Sequence, residues 1–145
     1  MKTLLIKKLS EKAIIPEYKT SGSSGFDISA CINSDITIQP QAIALIKTGL
    51  SIQLPEGFEA QVRSRSGLSL KGIFVINSPG TIDNDYRGEI CVILANFSEI
   101  PFTVEHGMRI AQVVIAKYEQ FEVKNIDTLD ETQRGSGGFG STGLK

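Results

Sequence analysis

Eight short runs rich in isoleucine, valine, phenylalanine or threonine constrain this chain more than any other feature. They fall at residues 3–9, 35–38, 43–47, 58–63, 73–76, 89–96, 101–104 and 109–118, with glycine, proline, asparagine or serine between them. β-Branched and aromatic side chains suit a pleated, half-buried surface, and the intervening residues suit turns. Many short strands at regular spacing predict an all-β sandwich or barrel. Pro16 and Pro40 mark turns, and Asn33-Ser34 and Pro55-Glu56-Gly57 read as tight connections. Only residues 68–71 read as a helix, a short one opened by a Ser66 cap. No internal repeat is visible.

A length of 145 residues suits one domain with a real core. The net charge of -1 supplies no basic field, which argues against nucleic acid as a partner. No apolar run approaches membrane-spanning length, and the first residues, MKTLLIKKLSEKA, are too short and too charged for a signal peptide. A cytoplasmic protein with no membrane partner is expected. Cys31 and Cys91 lack any metal-binding spacing and read as reduced thiols. His106, the only histidine, lies between Glu105 and Gly107 and reads as a solvated turn residue. No nucleophile-elbow sequence accompanies it.

The last dozen residues, 134–145, read RGSGGFGSTGLK. Glycines free the backbone, so its N–H groups can close around phosphate oxygens. Arg134 adds a fixed guanidinium fork, and Phe139 is a ring that can lie on a base. On composition alone the stretch fits a disordered tail better, a reading that Arg134 and Phe139 weaken. Gly135 to Gly140 has P-loop spacing, yet Ser141 stands where lysine is needed. Three residues after Thr142 leave no room for the helix that such a loop opens. A flap closing over a nucleotide is the expectation, with residues 123–133 as its tether and residues 1–122 as the body.

Four body segments carry further chemistry. Residues 21–28, SGSSGFDI, end in Asp27 at a strand start. In residues 63–68, RSRSGL, Arg65 and Ser66 sit where a helix begins, an arrangement suited to an anion or to simple capping. Residues 77–89, NSPGTIDNDYRGE, read as a β-hairpin whose open backbone could read a base edge. Asn77 adds an amide that donates and accepts, and Asp83 and Tyr86 are spaced to share a pocket. Period-two alternation in residues 107–112, GMRIAQ, places Met108, Ile110 and Gln112 on one face, with Arg109 and Ala111 on the other.

Together with the tail, these segments resemble the five ordered motifs of the trimeric dUTP diphosphatases. The likeness runs from about Ser21 to Gly143 and is carried by RSGLS, GTIDNDYRGE, RIAQ and RGSGGFGSTG. It implies a jelly-roll-like β-barrel with one short helix and a flexible glycine-rich C-terminal arm, assembled as a homotrimer with sites shared between subunits. It implies hydrolysis of dUTP to dUMP and pyrophosphate by water attack at the α-phosphorus, which would limit uracil incorporation into DNA. Asp83 matches the carboxylate that activates the water, and Tyr86 the ring packed on the deoxyribose. Asn77, Gly80, Thr81 and Ile82 match the segment that holds uracil. Arg65, Ser66, Gly67 and Gln112 match phosphate-binding positions. In the flap, Arg134, Ser141 and Thr142 match the grip on the γ-phosphate, beside Gly140, and Phe139 matches the ring stacked over uracil. Asp27 matches the aspartate that holds Mg²⁺ through water. Met108 replaces a common aspartate and Ser64 a common proline, and only local packing changes are expected from either. The rival readings are a dCTP deaminase-like or bifunctional enzyme on the same fold, and a nucleotide-sensing binding protein.

Overall fold

A computed structural model describes residues 2–138. Eleven strands and one helix follow in order: β1 (Leu5–Lys8), β2 (Gly25–Ser29), β3 (Ile36–Ile38), β4 (Ile43–Lys47), β5 (Leu50–Gln53), β6 (Phe58–Arg63), α1 (Ser66–Ser69), β7 (Ile73–Val75), β8 (Gly80–Ile82), β9 (Cys91–Asn96), β10 (Phe102–Val104) and β11 (Arg109–Lys117). All eight expected runs contain a strand. The expectation missed β5 and β8, and it saw β2 only as a strand start.

The largest sheet has four strands in the order β2-β11-β6-β8, and a three-stranded sheet runs β4-β9-β7. Two pairs, β1-β5 and β3-β10, complete a jelly-roll-like all-β body. Every strand pairing among the described residues is antiparallel. The sheets enclose one apolar core, with Ile28, Ile46, Leu50, Ile73, Leu94, Ile110 and Val113 fully buried. Burying each of these side chains contributes about 1.5–3 kcal/mol.

Buried polar groups are paired. Asn96 donates from Nδ2 to the carbonyls of Ile38 and Ile100 and accepts from Ser98 on Oδ1, which ties β9 to the β3-β10 pair. Thr48 Oγ1 donates to the Ile90 carbonyl at 2.6 Å. Between β4 and β5 the chain turns at Gly49, whose φ of 66° favours glycine. A Cβ there would also lie 2.9 Å from the Cys31 sulfur.

Three expectations change. The helix starts at Ser66, not Leu68, its N-cap is Arg65, and no side chain caps it. Residues 77–89 do not form a hairpin: β7 pairs with β9, whereas β8 pairs with β6. The alternation through residues 107–112 is broken by a bulge between Arg109 and Ala111, which leaves Ile110 and Ala111 both buried. His106 lies exposed in the turn before β11, as expected. No helix among the described residues is long and apolar enough to cross a membrane.

Candidate functional site

Two groups of polar side chains lie toward opposite edges of the four-stranded sheet. The first centres on β8. This strand is at the sheet edge, so its outer backbone edge has no partner strand among the described residues. Gly80 opens it, and a Cβ at Gly80 would meet Asn77 Nδ2 at 3.0 Å. The absent side chain therefore lets the Asn77 amide lie against the strand. Beyond β8 the chain turns at once, with the Tyr86 N–H donating to the Asp83 carbonyl at 3.2 Å. Thr81, Ile82, Asp83 and Tyr86 line one cavity of about 370 Å³ with Leu45, Glu89, Ile90 and Cys91.

The turn that presents Asp83 is clamped by a residue that sequence reasoning missed. Asn84 Nδ2 faces three carbonyls, of Pro55 at 2.7 Å, Phe58 at 3.2 Å and Leu54 at 3.3 Å. Arg87 Nη1 then donates back to the carbonyls of Asn84 and Tyr86. Cys91, at the cavity wall, has its thiol pushed up from the ordinary value, first by burial and then by the Glu89 carboxylate. A larger cavity of about 520 Å³ lies on another side of Asp83, lined by Glu59, Asp83, Asn84, Asp85, Tyr118 and Gln120. Three carboxylates there would repel a polyphosphate; the smaller cavity, where Leu45, Ile82, Tyr86 and Ile90 stand beside Asp83 and Glu89, better suits a neutral nucleoside.

The second group gathers on β2, β11 and the start of α1. Asp27, Gln112 and Arg63 are register partners across three strands and so share one face. Asp27 takes a two-pronged pair from Arg65, with Nε at 3.1 Å from one oxygen and Nη2 at 3.1 Å from the other. Arg109 Nη1 adds a third contact at 3.1 Å. Arg65 also donates to the Arg109 carbonyl at 2.8 Å. Strict alternation would put Arg109 and Gln112 on opposite faces; the bulge inserts one residue and restores them to the same one. Two guanidinium groups on one carboxylate leave a net positive charge beside the N–H groups of Ser66 and Gly67, which have no acceptor inside the helix. The arrangement attracts anions through side chains and free N–H groups; a four-residue helix contributes little dipole.

Among the described residues no three histidine, cysteine, aspartate or glutamate side chains converge as a metal cage. Three arginine N–H groups occupy most of the Asp27 acceptor positions. What remains could take a water, so a cation would meet this carboxylate only through its hydration shell, as magnesium can.

Ser64 joins the two groups. Its N–H donates to Ser78 Oγ at 3.2 Å, and its own Oγ accepts the Val75 N–H at 2.9 Å. A proline here could make neither bond, so the departure is more than local packing. Met108, by contrast, packs against the core. Asp27 and β8 are still three strand spacings apart, about 14 Å. Arg134 lies in an exposed turn, its Nε donating to the Gly137 carbonyl at 2.9 Å. Phe139, Gly140, Ser141 and Thr142 lie outside the described residues.

Known proteins resemble this chain in sequence and in fold. The dUTPase family profile matches residues 11–143. A deoxyuridine 5'-triphosphate nucleotidohydrolase of Hydrogenobaculum sp. is 54% identical over 143 residues, covering 98% of this chain and 99% of its own length. One from Rickettsia bellii is 60% identical over 131 residues, 90% of this chain and 87% of its own. Among solved structures, the Staphylococcus bacteriophage 80alpha dUTPase with dUPNHPP superposes with a TM-score of 0.89 at 29% identity, covering 98% of this chain and 99% of that one. A mutant dUTPase of phage phi11 of S. aureus, described with a structural Mg(II) ion, has a TM-score of 0.78 at 27% identity, covering 87% and 97%.

Proposed function

The chain belongs to the dUTPase family and is a dUTP-hydrolysing enzyme, and from that premise we propose how its residues share the reaction. Uracil lies along the open edge of β8, where backbone N–H and C=O groups from Gly80 to Ile82, with the Asn77 amide, read its edge. Cytosine presents the reversed pattern and would leave buried groups unpaired. Tyr86 covers the deoxyribose and excludes a 2′-hydroxyl. Asp83 is the general base: it orients a water and takes its proton as the oxygen attacks the α-phosphorus. The bond to the bridging oxygen then breaks, giving dUMP and pyrophosphate. The single observation that carries this reading is the shared cavity of Thr81, Ile82, Asp83 and Tyr86.

Arg65, Ser66, Gly67 and Gln112 hold phosphate oxygens and meet the charge that develops on them. Magnesium, when bound, would neutralise triphosphate charge, and Asp27 would hold its water shell. Arg134, Ser141 and Thr142 grip the γ-phosphate, Gly140 gives the flap close approach, and Phe139 stacks on the base.

The functional unit is a homotrimer, with the nucleoside side and the phosphate side of each site drawn from different subunits. The separation of about 14 Å between the two groups supports this. The segment after β11, where Phe121, Val123, Ile126 and Leu129 are exposed and no strand forms through residue 138, has apolar side chains that another subunit could cover. Two unpaired cysteines agree with a cytoplasmic setting.

The test is pyrophosphate release with dUTP, UTP and dCTP in Mg²⁺. Rapid release from dUTP alone, with no ammonia from dCTP, is expected. Comparable turnover of dCTP would overturn the assignment of uracil to β8.

A further inference from the structure

We propose that Gly88 and the carbonyl of Glu89 form the seat that fixes the Tyr86 ring, making Gly88 a positioning residue for sugar selectivity. The inference rests on the reading of Tyr86 as the sugar gate.

Tyr86 is 46% exposed, so the surrounding protein holds its ring on only one side. Its hydroxyl donates to the Glu89 carbonyl at 3.0 Å, which folds the ring back over its own loop. Gly88 lies directly beneath. A Cβ at Gly88 would stand 2.3 Å from Tyr86 Oη, 2.5 Å from Cζ and 2.9 Å from Cε2. Non-bonded carbon atoms prefer separations near 3.5–4.0 Å. Ring and side chain therefore cannot coexist in this pose.

Glycine is not needed here for its backbone. The positive-φ glycines among the described residues are Gly49, Gly57, Gly72, Gly107 and Gly135, and Gly88 is not one of them. Alanine could adopt the same backbone, so the requirement is for space alone. The backbone is also the part least able to yield. Ser51 Oγ donates to the Arg87 carbonyl at 2.7 Å, and Glu89 Oε1 accepts the Gly49 N–H at 2.9 Å. With the loop anchored before and after Gly88, an added methyl group moves the half-exposed ring instead. A ring swung off its seat no longer fills the space beside C2′, and a ribonucleotide enters. Gly88 thus acts on selectivity through Tyr86, without contact to substrate.

The experiment compares kcat/KM for UTP and dUTP in the full-length protein and in Gly88→Ala, Tyr86→Phe and Tyr86→Ala, with melting temperature and oligomeric state measured on each. Gly88→Ala should raise the UTP/dUTP ratio about tenfold or more, the scale of a single steric contact in a pocket. The rise should come through a lower KM for UTP, with kcat for dUTP reduced less. Tyr86→Phe keeps the ring but loses the tether, and should shift the ratio the same way by less. A Tyr86→Ala ratio equal to wild type refutes the gate itself. A relaxed Tyr86→Ala beside an unchanged Gly88→Ala overturns the seat and leaves the gate standing. Should Gly88→Ala fail to fold, Tyr86→Phe decides: an unchanged ratio overturns the seat.

Discussion

Single residues divide here into those that act and those that hold them in place. Asp83 is exposed beside a turn, and the residue next to it, not Asp83 itself, fixes the backbone that presents it. Asn84 does so, through one amide nitrogen facing three carbonyls. Asp83→Asn should therefore fold and bind dUTP while single-turnover hydrolysis falls ~10²–10⁴-fold, the usual loss for a general base. A near-wild-type rate would move the base elsewhere. Asn84→Ala should lower kcat more than it raises KM and cost about 1–3 kcal/mol in urea unfolding, because buried carbonyls lose their donor. Cys91 offers a separate probe of the cavity. Burial and Glu89 raise its pKa, so the folded protein keeps the thiol protonated at pH values where a free cysteine has begun to ionise. Thiolate is the reactive form. Alkylation of Cys91 should then lag behind a model thiol at neutral pH and accelerate as pH climbs past the ordinary thiol range. A rate profile matching the free thiol would contradict the burial.

At the scale of elements, what the sequence reveals depends on whether a strand is defined by its own side chains or by its neighbours. Strands such as β4, β9 and β11 are dense in β-branched residues and are legible as written. β8 is not: Gly-Thr-Ile has too little pattern, and it exists because β6 offers an edge to pair with. β5, with Ser51 buried among apolar neighbours, breaks alternation because Ser51 has a carbonyl to bond. The bulge in β11 was equally hidden. It decides that Arg109 joins Asp27, and only the register against β2 exposes it. The site segments were legible because their residue types are unusual in combination; Asn84 and Gly88 were not, since their roles lie in contacts with distant carbonyls and with a ring. Asn96 shows the same dependence inside the core. Asn96→Ala should cost on the order of 3 kcal/mol in denaturant unfolding, as the carbonyls of Ile38 and Ile100 lose their partner. A loss below 1 kcal/mol would mean that water replaces the amide.

For the whole molecule, the segment after Lys117 carries no strand or helix through residue 138, and several of its apolar side chains face solvent. Removing residues 135–145 should leave a folded oligomer with little activity, and trypsin should cut after Arg134 more slowly when Mg²⁺ and a non-hydrolysable dUTP analogue are present. Full activity in the truncated protein would return that end to an inert tail. The distance between Asp27 and β8 has a genetic corollary. If nucleoside and phosphate contacts come from different subunits, a chain crippled at Asp83 and a chain crippled at Arg65 each spoil a different half of a site. Co-expressed, the two dead proteins would mix, and some sites in the hybrids would draw both halves from undamaged sources. Two inactive alleles would then complement one another in the same cell, whereas a site built within one chain would leave every hybrid as dead as its parents.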